Sequence, residues 1–182
     1  MIYDFLMFNR PFAYTALSLI GLLCIGLGFV LVRSSRYGRP ALRTLAVLAV
    51  LPVLGLTLVP DFKFTPSDSD GIRCAVQFGV PSLNILELAN MALFLVPVFF
   101  AALATRRPLV LFVAGAGLSA LVEALQGLIP ALGRACDTDD WVINTLGAAA
   151  GALLALGVLA LAKRIGTRTA AEDRDAAAPA GR

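Results

Sequence analysis

The stretch EALQGLIPALGRACDTDDWVINTLGAAAG, residues 123–151, decides the fold. It holds the end of one apolar segment, a short polar loop and the start of a second apolar segment. Polar residues also lie inside the apolar segments, with Glu123 and Gln126 before the loop and Asn144 after it. Because such residues are costly in a bilayer, their presence indicates a role beyond filling the membrane.

The whole chain has the composition of an integral membrane protein. It has 182 residues, of which 59% are hydrophobic, and its mean hydropathy is +0.85. Soluble domains are usually only about 45–50% apolar. We therefore predict an all-α fold, a five-helix transmembrane bundle within residues 14–162, preceded by an interfacial segment at 1–13 and followed by a disordered cytoplasmic tail at 163–182. The predicted spans are about 14–32, 42–59, 83–103, 109–129 and 141–161.

Charge distribution predicts the orientation of these spans. The segments that connect the spans lie alternately on the two sides of the membrane. Cations cluster in those on one side, and carboxylates cluster in those on the other. The positive-inside rule then places the N-terminus outside and the C-terminus in the cytoplasm of a bacterial-type plasma membrane. The net charge of +3 is explained by those cytoplasmic cations, so we expect no nucleic-acid partner. The cations are Arg33, Arg36, Arg39, Arg43, Arg106, Arg107, Lys163, Arg164 and Arg168, and the acidic side carries Asp61, Asp68, Asp70, Asp137, Asp139 and Asp140.

The polar residues of three helices are expected at one depth, in the outer half of the membrane. On the fourth helix, Ser119, Glu123 and Gln126 share one face at i, i+4 and i+7. On the fifth, one stripe runs from polar to small residues: Asp140, Asn144, Gly147 and Gly151. The third contributes Asn84, Glu87 and Asn90 in its first turns. The pattern predicts a polar pocket above a tight helix contact at the two glycines.

Structural roles compete with a binding role for several of these residues. Asp137, Thr138 or Asp139 can cap the fifth helix, where an anion also suits the helix dipole. Asn90 and Asn144 can be interhelical hydrogen-bond partners, and Glu123 can form a structural pair with an arginine or asparagine.

The cysteines suggest a disulfide rather than a metal site. Cys74 and Cys136 both fall in loops expected on the oxidising outer side, so they could pair and hold Arg73 and Arg134 over the pocket. The chain has no histidine, the commonest metal ligand, so we predict no metal and no cofactor.

At these residues the chain resembles the VanZ-like membrane protein family. That family's C-terminal motif appears as Glu123-x-x-Gln126, Arg134, Asp137, Asp140, Asn144, Gly147 and Gly151, and an upstream element as Asn90, Phe94 and Pro97. The resemblance covers roughly residues 40–162. It implies little about activity, because the family is named for a member linked to resistance to the glycopeptide antibiotic teicoplanin, and most members have no established biochemical activity.

Three functions remain open from the sequence. The first is a non-enzymatic protein that binds the polar head of an envelope lipid, a lipid-linked wall precursor or a glycopeptide antibiotic through Asn90, Glu123, Gln126, Arg134, Asp137, Asp140 and Asn144. The second is a membrane enzyme with Glu123 and Asp140 as catalytic groups, although the chain shows no recognisable nucleophile motif. The third is a transporter or proton relay, which the lack of an inverted repeat disfavours. Membrane lipids are the expected partners in the first case.

Overall fold

The computed structural model describes residues 10–34, 36–60, 74–77, 79 and 84–177. The described residues form five long helices: α1 (Arg10–Arg33), α2 (Gly38–Leu58), α3 (Ile85–Thr105), α4 (Pro108–Leu128) and α5 (Thr138–Ala177). Two short strands, β1 (Cys74–Ala75) and β2 (Cys136–Asp137), pair in parallel, and a 3-10 turn spans Pro130–Leu132. Each of the five helices contains a segment long and apolar enough to cross a membrane, which confirms the predicted all-α membrane fold.

Helix α3 lies at the centre of the bundle. It packs against α1, α2, α4 and α5, and it is the most buried of the five. Phe94, Phe99 and Leu103 on α3 are fully buried and pack against Leu42 and Val53 of α2. The other helices leave large apolar side chains on the outside, such as Leu23 at 71% and Leu153 at 67% exposed. Such an outer surface suits contact with lipid tails.

The ends of the helices follow local chemistry that hydropathy does not reveal. Asn84 begins α3 as its N-cap, because its side-chain oxygen accepts hydrogen bonds from the backbone N–H of Leu86 and Glu87. Pro108 occupies the first turn of α4, where its missing N–H costs nothing. Helix α5 begins at Thr138, three residues before the predicted start of the fifth span.

Helix α5 is longer than the predicted fifth span, which ends at about residue 161. Helix α5 does not stop at the membrane-spanning segment but continues through Lys163 and the Ala-rich residues to Ala177. Alanine has the highest intrinsic helix propensity, and a helix already nucleated in the bundle extends at low cost. Residues 178–182 and the first nine residues of the predicted interfacial segment lie outside the described residues.

The bundle has two chemically different ends. One, here called the arginine end, carries Arg33, Arg36, Arg39, Arg43, Arg106, Arg107, Lys163 and Arg164. The other, here called the disulfide end, carries Cys74 and Cys136, the first turns of α3 and α5 and the last turns of α2 and α4. The predicted site residues belong to the disulfide end.

Candidate functional site

Glu123 is buried at the disulfide end and bonded to the loop between α4 and α5. Its side chain is 8% exposed, and its Oε2 accepts a hydrogen bond of 2.8 Å from the backbone N–H of Asp137. Its partner is therefore a backbone N–H of β2, and not the arginine or asparagine side chain that we considered for a structural role of Glu123. This bond ties the loop to the last turns of α4.

Gln126 joins α4 to α2. Its Nε2 donates a 2.8 Å hydrogen bond to the carbonyl oxygen of Thr57, and its side chain is 6% exposed. Thr57 lies in the last turn of α2, where the backbone carbonyls have no partner within the helix. Gln126 thus satisfies an otherwise unpaired carbonyl across a helix interface. The only sequence signal for this contact is that the apolar segment of α2 ends near Thr57.

Asn90 and Asp140 connect α3 to α5. The Nδ2 of Asn90 donates to Oδ1 of Asp140 over 3.2 Å. Asp140 is exposed and Asn90 is half-buried, so this pair lies at the rim of the polar cluster. Asn84 and Glu87, also expected near the site, bond to each other at the start of α3, where the Nδ2 of Asn84 donates to Oε1 of Glu87 over 2.8 Å.

The aspartates of the hairpin loop bind the segment that follows β1. Asp139 accepts a 2.9 Å hydrogen bond from the backbone N–H of Gly79, and Asp137 accepts one of 3.2 Å from Nε2 of Gln77. Thr138 both accepts from the backbone N–H of Gln77 and donates to its carbonyl oxygen. Gln77 and Gly79 were not anticipated from the sequence, because a polar loop has no periodicity that would indicate its partner.

The same two segments meet at the cysteines. Cys74 and Cys136 are opposite each other in the β1–β2 pair and form a disulfide, with their Cα atoms 4.5 Å apart. That separation lies within the usual range for a disulfide. Arg134, two residues before Cys136, is exposed, and Arg73, the other cation expected over the pocket, lies outside the described residues.

Below this bonded layer lie oxygen atoms that have no partner among the described residues. Ser119 is 0% and Asn144 is 4% exposed, yet Oγ of Ser119, Oδ1 of Asn144 and Oγ1 of Thr145 form no hydrogen bond within the described part of the chain. A Cβ on Gly115 of α4 would lie 3.0 Å from the Cβ of Ala148 on α5, so the two helices are in close contact there. Since α4 and α5 are antiparallel, Ser119 and Asn144 each lie one turn from that contact and therefore at the same level.

Gly147 and Gly151 lie against the backbone of α3. A Cβ on Gly147 would overlap the carbonyl oxygen of Met91 and lie 2.9 Å from its Cα, and a Cβ on Gly151 would lie 3.2 Å from the Cα of Leu95. The stripe on α5 thus runs from Asp140 at the rim, through buried Asn144, to a close helix–helix contact at the glycines.

An apolar groove opens on the side of the bundle next to the polar cluster. It has a volume of about 230 Å³ and lies between α2, α3 and α4. At the end nearest the disulfide end it is lined by Leu118, the residue next to Ser119 on α4, and Gly115 lines it about one turn of α4 further from that end. The remaining lining residues are Ala46, Val47, Val50, Phe94, Pro97, Val98, Ala101, Leu111 and Ala114.

The site can therefore form hydrogen bonds and ionic contacts. It offers buried oxygen acceptors at Ser119 and Asn144, an exposed carboxylate at Asp140 and an exposed guanidinium at Arg134. Among the described residues, no group of three or more His, Cys, Asp or Glu side chains is placed to hold a metal ion.

The chain is similar to a known protein family. The family model described as VanZ/LLP1 matches residues 12–161, a range that includes α1 as well as the hairpin of α4 and α5. No curated protein and no solved structure matches the chain significantly.

Proposed function

The chain belongs to the VanZ-like family, and on that premise we propose that it binds the polar head of an amphiphile at the disulfide end. The amphiphile is an envelope lipid, a lipid-linked wall precursor or a glycopeptide antibiotic that carries an acyl chain. Binding, rather than turnover, is the function that these contacts support best. Glu123, Gln126, Asp137 and Asp139 are already bonded within the protein and form the frame of the site.

The unpartnered oxygens of Ser119 and Asn144 carry this proposal. Leaving a buried polar atom without a partner costs about 1–3 kcal/mol, so native proteins rarely retain one without a reason. Both atoms belong to one level of the α4–α5 interface, directly beneath the bonded layer of Glu123 and Asp140. A head group that supplies hydroxyl or amide donors would satisfy them.

Two further features support an amphiphile rather than a small polar solute. Arg134 and Asp140 are exposed at the rim, where a guanidinium can meet a phosphate or carboxylate and a carboxylate can accept from hydroxyls. The apolar groove reaches Leu118, the residue next to Ser119 on α4, so its walls suit an acyl chain whose head lies at the disulfide end.

The orientation completes the proposal. The positive-inside rule puts the arginine end in the cytoplasm and the disulfide end outside, so the head group belongs to the outer leaflet of a bacterial-type plasma membrane. An oxidising exterior also favours the bond between Cys74 and Cys136. A C-terminal green fluorescent protein fusion should fluoresce in this orientation, and a C-terminal alkaline phosphatase fusion should be inactive.

The test of the binding proposal is the set of lipids that co-purifies with the protein. Mass spectrometry of lipids extracted from the purified wild type should find one amphiphile class enriched over the host membrane. Arg134→Ala should reduce that enrichment, whereas Arg107→Ala, which removes an exposed arginine at the opposite end, should not. Equal lipid profiles in all three proteins would contradict the proposal, and release of a chemically altered lipid would favour the enzyme alternative with Glu123 and Asp140.

A further inference from the structure

A second site is indicated at the arginine end, far from the predicted one. Two cavities of about 500 Å³ and 260 Å³ adjoin there and share the wall formed by Val32, Arg33 and Arg106. The larger cavity lies between the C-terminal ends of α1 and α3 and the part of α5 around Lys163, which lines it. The smaller lies between α1, the start of α2 and the end of α3, where Arg39 lines it.

The described side chains that carry charge around these cavities are all cationic. Four of them, Arg33, Arg39, Arg106 and Lys163, line the pair, and no acidic side chain is among the described lining residues. Like charges gathered at one low-dielectric concavity repel one another and attract a counter-ion. Guanidinium groups match phosphate geometry with paired N–H donors, so a phosphate is the anion these residues suit best.

The rest of the lining is apolar. Val32 and Leu159 line the larger cavity, and Leu42 and Leu103 line the smaller. Leu31 of α1 also lines the smaller cavity, and the exposed Leu27 and Leu23 lie one and two turns before it on α1, so helical spacing extends this apolar surface toward the centre of the membrane. A free phosphate ion would gain nothing from contact with these apolar side chains. A phospholipid would place its phosphate among the cations and its acyl chains along the leucines.

The depth of the cavities also suits a phospholipid. Arg33 ends the membrane-spanning segment of α1, and Arg106 directly follows that of α3. Lipid phosphates lie at this level, just outside the hydrocarbon, and basic pockets between helices on the cytoplasmic side are typical sites for anionic head groups. Arg106 is held at this level by a left-handed backbone (φ 58°) whose N–H bonds to the carbonyl of Ala102.

We propose that Arg33, Arg39, Arg106 and Lys163 bind the phosphate of an anionic phospholipid at the arginine end. This site is independent of the amphiphile site at the disulfide end. It takes lipid from the opposite leaflet, and it is made of different residues.

The test is native mass spectrometry of the purified protein titrated with phosphatidylglycerol, with phosphatidylcholine of the same chains and with glycerol phosphate. Wild type should bind phosphatidylglycerol about tenfold or more tightly than phosphatidylcholine, since several cations act on one extra lipid charge. The double variant Arg33→Gln/Arg106→Asn should lose about fivefold in affinity for each charge removed. Asparagine is chosen at 106 because it tolerates the left-handed backbone.

Two matched pairs decide the outcome. Arg43→Gln/Arg107→Gln removes as much charge from the same end without touching either cavity, and it should bind like wild type. Arg33→Lys/Arg106→Lys keeps the charge and should retain most of the affinity, even if the neutral pair folds poorly. Equal losses in the cavity pair and the Arg43/Arg107 pair, equal binding of both lipids, or full displacement by equimolar glycerol phosphate would each overturn the proposal.

Discussion

Glu123 accepts a hydrogen bond of 2.8 Å from the backbone N–H of Asp137, so a membrane-embedded carboxylate holds the loop that closes the α4–α5 hairpin. In the adjoining strand pair, Asp137 lies opposite Ala75 and Cys136 lies opposite Cys74. Glu123 therefore joins α4 to the loop that the disulfide and the side chains of Asp137, Thr138 and Asp139 hold against the segment after residue 73.

The acceptor at position 123 should matter more than its charge. Glu123→Gln retains a side-chain oxygen that can accept from the N–H of Asp137, whereas Glu123→Leu leaves that donor unpaired at a cost of about 1–3 kcal/mol. Thermal unfolding in detergent should give a melting temperature near wild type for glutamine and a clearly lower one for leucine. Equal losses in both variants would show that the negative charge, rather than the acceptor, stabilises the loop.

The disulfide should stabilise the disulfide end because it closes a long loop. Cys74 and Cys136 are separated by 62 residues, and a cross-link of this span typically contributes about 2–4 kcal/mol. Reductant should lower the melting temperature of wild type and leave Cys136→Ser unaffected. Cys24→Ser, which removes the free cysteine, should respond to reductant like wild type. Two free thiols at Cys74 and Cys136 in peptides mapped without reduction would contradict this account.

Gly147 should tolerate no side chain, while Gly157 on the same helix should accept one. A Cβ at position 147 overlaps the backbone of Met91, and overpacking of this kind costs about 1–3 kcal/mol. A Cβ at 157 meets nothing within 4 Å, so Gly157→Ala should leave stability unchanged or slightly raised through helix propensity. Melting temperatures of the two alanine variants compare the sites directly. A Gly147→Ala protein as stable as wild type would mean that α3 and α5 are not in close contact there.

A substitution at Ser119 should affect ligand binding without lowering the stability of the protein. Its Oγ is buried without a partner, so Ser119→Ala removes no protein hydrogen bond and should leave the melting temperature unchanged or slightly higher. Under the proposed function the same variant should retain less of the co-purified amphiphile. Thr105→Ala provides the comparison, because its hydroxyl is exposed and bonds to Ala101 within α3. Unchanged lipid retention in Ser119→Ala would remove Ser119 from the site.

Periodicity and hydropathy predicted much of this molecule because both depend on single helices. The five apolar segments and the shared face of Ser119, Glu123 and Gln126 follow from 3.6-residue spacing, and all three side chains are buried. The same reasoning predicts a disordered tail after residue 162, whereas helix α5 continues to Ala177, since the absence of an apolar face does not prevent an alanine-rich helix from continuing.

The partners of the polar residues were beyond the reach of the sequence. Gln126 bonds to Thr57, and Thr138 bonds to Gln77, across 69 and 61 residues respectively. A helical face indicates which side chains are buried together but not which neighbouring helix or loop they meet. The cavities at the arginine end were not predicted either. The positive-inside rule already accounts for every cation that lines them, so the sequence contained no separate indication of a ligand.

The most direct measurement of the central claim is photocrosslinking with an amphiphile that carries a diazirine on its acyl chain. The amphiphile should be of the class found enriched on the purified protein. If its head lies at the disulfide end and its chain in the apolar groove, cross-links should concentrate at Val47, Val50 and Leu118 and fall in Arg134→Ala. Leu23 and Leu153, exposed on α1 and α5, report general lipid contact. Cross-links spread equally over these leucines and the groove, and unchanged in Arg134→Ala, would contradict the account.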